Sequence, residues 1–173
     1  MEYTQSSNLK NYIKNSEQIK DTKVMMKLVL NLVKAINFMH SFNIVHSDLN
    51  TENIYIDENG LPKIGNFNRA KDTSRGYIPE GNNQFIDPWI FLNISKKSIT
   101  YTIQQDIYSI GMVFYFMVYK KFPYENFNNE KFKLIDEIML KKSILIPKGT
   151  CTDTLTIIDD TLKINPNYRA SLY

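Results

Sequence analysis

Apolar residues recur every three or four positions along the first quarter of the chain, as on one face of an amphipathic helix. This face consists of Val24, Leu28, Leu32, Ile36 and Met39. We therefore predict a helix that begins at Asp21 or Thr22 and ends near Ser41. A shorter helix is predicted over 8–15, with Ser7 as its cap because a serine hydroxyl can accept a hydrogen bond from the first turn.

Short extended segments follow the long helix. Residues 43–46 form one, and residues 53–56 and 62–64 read as two strands. Between these two strands lies the run Asp-Glu-Asn-Gly at 57–60. Asn-Gly accepts a positive φ, so the run predicts a tight turn and a β-hairpin.

The rest of the chain is predicted to be helical after a long irregular segment. Residues 66–98 show no clean periodicity, and helices are predicted over 103–120, 128–142 and 152–163. No repeat or Pro/Gly-rich linker divides the sequence. We therefore expect residues 1–173 to form a single domain, mostly α with a small β-hairpin.

Composition narrows the classes of protein to consider. The net charge of +3 is too small to indicate nucleic acid or an anionic membrane as partner. The single cysteine, Cys151, excludes an internal disulfide and suits a reducing compartment, so a cytoplasmic location is expected. The most apolar run, 107–119, is too short to cross a bilayer, which needs about 20 residues.

Four short motifs carry the chemical information. Residues 44–54 read Ile-Val-His-Ser-Asp-Leu-Asn-Thr-Glu-Asn-Ile, and 63–68 read Lys-Ile-Gly-Asn-Phe-Asn. Residues 106–111 read Asp-Ile-Tyr-Ser-Ile-Gly, and 165–169 read Asn-Pro-Asn-Tyr-Arg. The first motif resembles the catalytic loop of protein kinases, H-R-D-L-x-x-x-x-N. The others resemble, in the family's order and spacing, the D-F-G segment, the central buried helix and the closing arginine.

The resemblance to the protein kinase family implies roles for particular residues. Asp48 takes the position that accepts the proton of the substrate hydroxyl, and Asn53 takes a metal-binding position. Asn66 stands where the family has its principal Mg²⁺ carboxylate. Asn50 and Tyr55, together with Asn53, fall at positions that line the nucleotide cleft. Tyr55 either narrows the adenine pocket or stacks on the base.

Several of these positions depart from the family pattern. Asn66 replaces a carboxylate, and Mg²⁺ is a hard cation that favours charged oxygen ligands. Asn50 replaces the lysine that contacts the transferred phosphate. Ser47 replaces the arginine that precedes the catalytic aspartate, and Asn68 replaces the glycine of D-F-G. These losses predict a site with little or no phosphotransfer activity and no bound cofactor.

The resemblance covers about residues 9–169 and is confined to one half of the family's fold. About 45 residues precede the catalytic loop, and they resemble the first two helices of the C-terminal lobe (C-lobe). No glycine-rich phosphate loop or V-A-I-K strand precedes it. We therefore expect a kinase-like C-lobe that lacks the N-terminal lobe (N-lobe) and whose final helix is truncated.

The resemblance also predicts supporting contacts. We expect His46 to pack below Phe67 and not to act as an acid or base. Asp106 is expected to be buried and to accept hydrogen bonds from the backbone of the catalytic loop.

The closing A-P-E motif of the activation segment has two candidates. Residues 87–89, Asp-Pro-Trp, are favoured over residues 78–80, Ile-Pro-Glu. In the family the glutamate pairs with the residue equivalent to Arg169. With Trp89 in its place, we expect the Arg169 guanidinium to stack on the tryptophan ring. Arg169 beside Glu80 would instead indicate the earlier motif.

The functional hypothesis is a pseudokinase, a kinase-like module that binds a protein partner, with the helix near 128–142 and its preceding loop as the surface. The alternative is a fragment of a Ser/Thr-type protein kinase whose N-lobe lies upstream or on a complementing chain, and which then binds Mg·ATP. A third hypothesis is a truncated, decaying gene copy. Neither nucleic acid nor a membrane is expected as partner.

Overall fold

The computed structural model describes residues 7–17, 19, 21–73, 85–93, 102–123, 144 and 146–171. The helix predicted over 128–142 and the alternative motif at 78–80 lie outside these residues. The described elements, in chain order, are β1 (Ser7–Asn8), α1 (Leu9–Asn15), α2 (Thr22–Ser41), β2 (Ile44–Val45), β3 (Ile54–Ile56), β4 (Pro62–Ile64), β5 (Lys71–Asp72), α3 (Pro88–Asn93), α4 (Ile103–Tyr119) and α5 (Thr152–Thr161). The fold is mostly helical with small antiparallel sheets, as predicted.

Two capping residues set where the first helices begin. The Asp21 side chain accepts a hydrogen bond from the Lys23 N–H at 2.8 Å, which confirms the predicted start of α2. The cap of α1 is Asn8, whose side chain accepts from the Asn11 N–H at 2.9 Å. The prediction of Ser7 as this cap is wrong, because α1 begins at Leu9 and Asn8, the residue directly before it, takes the cap position.

The predicted hairpin, β3 with β4, is joined by β1 in a three-stranded sheet ordered β1-β3-β4. At the turn, the Asp57 carboxylate accepts hydrogen bonds from the N–H groups of Asn59 and Leu61. Gly60 has a φ of +73°, which a residue without Cβ adopts easily. Strands β1 and β5 were not predicted, because each is two residues long. Strand β2 lies within the extended segment predicted over 43–46 and pairs with β5.

Helix α4 runs through the core. It is apolar on all sides, and its residues from Gln105 to Met117 are buried. Gly111 lets α5 approach closely, since a Cβ there would collide with Thr161 and Leu162. Within the described part of the chain, no helix combines the length and apolar character needed to cross a membrane.

The Arg169 guanidinium pairs with Asp87, so the predicted stack on Trp89 is wrong. Nη2 donates to Asp87 Oδ1 at 2.7 Å and Nη1 donates to Oδ2, with both side chains fully buried. A carboxylate offers two charge-assisted hydrogen bonds, which outweigh the attraction of a ring face. The aromatic ring over which the guanidinium lies belongs to Tyr108, 5.1 Å from Cζ.

The remaining N–H groups of Arg169 also find partners. They donate to the carbonyl oxygens of Gln104, Lys163 and Ile164 at 2.6–2.9 Å. Burial raises the pKa of the Asp87 carboxyl, while the guanidinium and the Trp89 N–H oppose that rise. The pair therefore ties the segment before α3 to the end of the chain.

Candidate functional site

The loop between β2 and β3 is held from beneath by Asp106, on the first turn of α4. The buried carboxylate accepts hydrogen bonds from the His46 N–H at 2.8 Å and the Ser47 N–H at 3.1 Å, as predicted. His40, near the end of α2, approaches the same carboxylate, with its Nε2 at 3.0 Å from Oδ2. The sequence did not predict this third contact. It joins α2, the loop and α4 at one buried charge.

The His46 ring is fully buried and packs edge-on against Phe67, with the ring centres 5.0 Å apart. Its Nε2 lies 2.9 Å from the carbonyl oxygen of Gly65 and must donate, because a carbonyl only accepts. Its Nδ1 accepts from the Asp48 N–H at 3.3 Å. Both ring nitrogens are thus used within the protein, in agreement with the packing role predicted for His46.

Asp48 lies in this loop with its side chain 14% exposed. Each carboxylate oxygen accepts one amide N–H: Oδ1 from Asn50 and Oδ2 from Asn53, both at 3.1 Å. The same two Nδ2 atoms also bond to the Asp48 carbonyl oxygen, at 3.1 and 2.8 Å. The structure therefore brings together three of the residues predicted from sequence.

A chain of amides leads from this carboxylate to the position of the missing metal ligand. Asn53 Oδ1 accepts from Asn66 Nδ2 at 3.1 Å, and Asn66 Oδ1 accepts from Asn68 Nδ2 at 2.9 Å. A carboxylate can only accept, so it turns the nitrogen of Asn53 towards Asp48. Each further amide must then point its nitrogen the same way. We call the series Asn68–Asn66–Asn53–Asp48 the amide relay.

The backbone conformation at position 66 is one that asparagine adopts readily. Its φ of +62° lies in the left-handed region, which asparagine tolerates better than most residues other than glycine. Asn50, which is buried, has a different role: its Oδ1 accepts the N–H groups of Glu52 and Asn53 at 2.9 and 3.0 Å. Asn50 thus stabilises both the turn of the loop and the Asp48 carboxylate.

Arg69 is a site residue that the sequence analysis missed. Its Nε lies 4.0 Å from Asp48 Oδ2, and its Nη1 is buried with no hydrogen-bond partner. A basic residue three positions after Asn66 was the available signal. With Arg69 beside Asp48, the site carries one positive and one negative charge among otherwise neutral amides.

Tyr55 lies on β3, and its ring covers Gly65. A Cβ placed on Gly65 would lie 2.9 Å from Tyr55 Cε2 and 3.3 Å from Cδ2. The glycine therefore makes room for the phenol. The packing does not choose between the two predicted roles, narrowing the adenine pocket or stacking on the base.

Comparison with known proteins agrees with this geometry. The family model of the protein kinase domain matches residues 1–173. The chain is 30% identical over 151 residues to serine/threonine-protein kinase PDK1 of Cryptococcus neoformans, covering 82% of this chain and 12% of that protein. It is 28% identical over 172 residues to sperm motility kinase Z of Mus musculus, covering 98% of this chain and 33% of that one. The chain belongs to the protein kinase family.

The match covers part of each relative. Aurora kinase of Eremothecium gossypii is 25% identical over 175 residues, which cover 99% of this chain and 45% of that protein. The chain thus spans less than half the length of these three curated relatives. Whether its fold lacks the N-lobe stays a prediction.

Proposed function

We propose that this chain is a pseudokinase: a kinase-like domain that does not transfer phosphate itself and acts by binding another protein. The observation that carries the proposal is the amide relay. At the two positions where the family's metal ligands stand, Asn53 and Asn66 present amide oxygens that each accept a hydrogen bond from a neighbouring amide. Each of these oxygens therefore has one lone pair engaged within the protein.

The donor set does not fit Mg²⁺. The ion favours near-octahedral coordination by oxygens, with one or two carboxylates supplying charge. In the relay the carboxylate belongs to Asp48, and both of its oxygens already accept amide N–H bonds. A metal bound here would have to compete with these hydrogen bonds, and the family's two ligand positions offer it only neutral amide oxygens. We therefore derive no catalytic step through Mg·ATP.

The charge pattern supports the same proposal. Phosphoryl transfer depends on cations that neutralise charge on the phosphoryl oxygens. At position 50 a buried asparagine braces the loop where the family pattern has a lysine. Among the described residues, Lys10 pairs with Glu52 of the loop at 2.9 Å, and Arg69 lies beside the Asp48 carboxylate. Each of these positive charges is therefore partly balanced by a carboxylate.

An active fragment of a Ser/Thr-type kinase is the second candidate, favoured by a specific observation. Asp48 is retained, and its partly exposed carboxylate accepts a hydrogen bond from Asn53, which supports the role of proton acceptor. The relatives named above are protein kinases, and two chains could together form a complete cleft. This candidate needs a glycine-rich loop and its lysine from a segment outside these 173 residues.

Phosphotransfer from radiolabelled ATP tests whether this chain transfers phosphate by itself. We expect no label on the chain or on a generic acceptor protein, with Mg²⁺ or Mn²⁺ present. The double variant Asn66→Asp, Asn50→Lys restores both missing charges and should still be inactive, because the glycine-rich loop and its lysine are not part of the chain. Label transfer that disappears in an Asp48→Asn background would overturn the proposal and favour the enzyme.

A further inference from the structure

Exposed apolar side chains are concentrated on one part of the molecule. Among the described residues, eight large hydrophobic side chains are exposed, and five of them lie in α2, the turn that follows it or β2. These five are Met26 (44%), Leu30 (53%), Phe38 (68%), Phe42 (61%) and Ile44 (38%). Single exposed apolar residues are ordinary, but a cluster of this kind marks an interaction site.

The fold itself does not need these side chains. Helix α2 already buries one face in the core, through Leu28, Leu32, Ile36 and Met39. At 100° per residue, Met26, Leu30 and Phe38 lie on the opposite side of the helix. Polar residues would serve the stability of the fold equally well there. The apolar choice therefore indicates a function of the surface.

Lysines lie between these apolar residues. Lys23, Lys27 and Lys34 are exposed and fall on the same side of the helix. Residues 22–41 contain no aspartate or glutamate, and Asp21 caps the helix just before them. We call the three lysines with Met26, Leu30, Phe38 and Phe42 the outer face of α2. It is both apolar and positively charged.

Two aromatic rings form a firm end to this face. Phe38 and Phe42 pack edge-to-face with their ring centres 5.1 Å apart. Mutual packing restricts their rotamers before any partner arrives, which lowers the entropy lost on binding. Phenylalanine and methionine are among the residue types enriched at protein–protein interfaces.

We propose that the outer face of α2 binds an acidic amphipathic helix of a protein partner. This proposal names the partner class for the interaction module of the proposed function and rests on it. The 20 residues of α2 make a straight surface about 30 Å long, enough for several turns of a second helix. Leucine or phenylalanine on that helix would pack between the apolar side chains, and its aspartates or glutamates would pair with the lysines.

Other occupants fit the same surface less well. A second copy of the chain would bring lysines against lysines, which costs free energy. Insertion into a membrane would draw the ammonium groups towards hydrocarbon, because the lysines lie among the apolar residues and not at their margin. An acidic amphipathic helix complements both the lysines and the apolar side chains of the outer face of α2.

A selection from a displayed library of randomised single-helix peptides tests the proposal. We expect the enriched peptides to combine large apolar residues with aspartate or glutamate at helical spacing. A synthetic copy should bind the chain in fluorescence anisotropy, more weakly as salt is raised. Absence of enrichment, or enrichment of basic peptides, would overturn the proposal.

Surface variants locate the binding. Phe38→Ser should weaken binding of the acidic peptide about tenfold and Lys34→Glu about fivefold, since an anchor and a facing charge are lost. Tyr168→Ser and Lys121→Glu are matched controls, because they change an exposed aromatic residue and an exposed lysine elsewhere and should change binding less than about twofold. Equal losses in the controls would contradict the assignment.

Two further measurements test whether a second copy of the chain or a membrane binds to the outer face of α2 instead. Sedimentation of a dimer that Phe38→Ser abolishes would favour a second copy, and capture by phosphatidylserine vesicles that Lys34→Glu abolishes would favour a membrane. Either result without peptide binding would overturn the proposal. Phosphotransfer activity together with peptide binding would instead overturn the proposed pseudokinase function and leave this surface intact.

Discussion

Asp87 and Arg169, 82 positions apart, form a fully buried two-point ion pair. In the family pattern the acid that meets this arginine is the third residue of A-P-E. Here that residue is Trp89, and the acid stands two positions earlier, at the start of the same motif. The contact between the activation segment and the end of the lobe is thereby kept with a different residue.

Asp87→Asn should destabilise the fold by about 3–5 kcal/mol, because it leaves the Arg169 guanidinium buried without a counter-charge. The free energy of unfolding from urea denaturation measures the loss. Asp159→Asn is the matched control: its carboxylate is 75% exposed and lies 3.7 Å from Lys163. A surface pair of this kind contributes at most about 1 kcal/mol. A loss at Asp87 no larger than the control would contradict the assignment.

Asp106→Ala should destabilise the fold by about 1.5–3 kcal/mol or more, because it removes a buried acceptor shared by His40, His46 and Ser47. Asp48→Ala should cost less, since that side chain is 14% exposed and its two amide partners can turn to water. Chemical denaturation of both variants gives the comparison. Equal losses would mean that the catalytic loop does not depend on the buried carboxylate.

Gly65→Ala should destabilise the fold by about 1–3 kcal/mol, because the new methyl group overlaps the Tyr55 ring. The second variant, Tyr55→Leu, removes the ring and should recover most of the loss when combined with Gly65→Ala. A double-mutant cycle in urea isolates this coupling. Additive effects of the two changes would show that the ring does not lie over Gly65.

Mg·ATP should produce no shift in melting temperature. A ligand at ten times its dissociation constant stabilises a fold by about 1.4 kcal/mol. For a domain of this size, that equals a shift of roughly 3–5 °C. Scanning fluorimetry with millimolar nucleotide, with and without Mg²⁺, makes the measurement. A reproducible Mg-dependent shift that Asn66→Ala removes would show that these side chains bind Mg²⁺, contrary to the proposal.

Local pattern was enough to predict much of the fold. The period of the apolar residues in α2 reflects which face of that helix leaves water, and the Asn-Gly turn of the hairpin reflects backbone preferences of two residues. These signals lie within a few positions of one another. The motifs likewise predict that Asp48, Asn53 and Asn66 lie close together. Only the short hairpin of β3 and β4 separates Asn53 from Asn66 along the chain.

Sequence reasoning failed where the deciding partner is distant. The cap of α1 is Asn8 because Asn8 pairs with Tyr55 in β1, so that the helix begins one residue later than predicted, at Leu9. The pairing of β2 with β5 brings the segments of Asp48 and Arg69 together, and β5 is too short to leave a pattern in the sequence. Neither contact follows from local propensity.

By itself, the sequence determined α1, α2, α4, α5 and the hairpin, the order of the kinase-like motifs and the loss of charged residues at positions 50 and 66. These features depend on residue type and short-range spacing. Only the tertiary structure decided where charges meet. Arg169 pairs with Asp87 and does not stack on Trp89, because a buried guanidinium is stabilised most by two hydrogen bonds to a carboxylate. The amide relay likewise exists because folding places Asn66 against Asn53, where a carboxylate at its far end sets the direction of every bond.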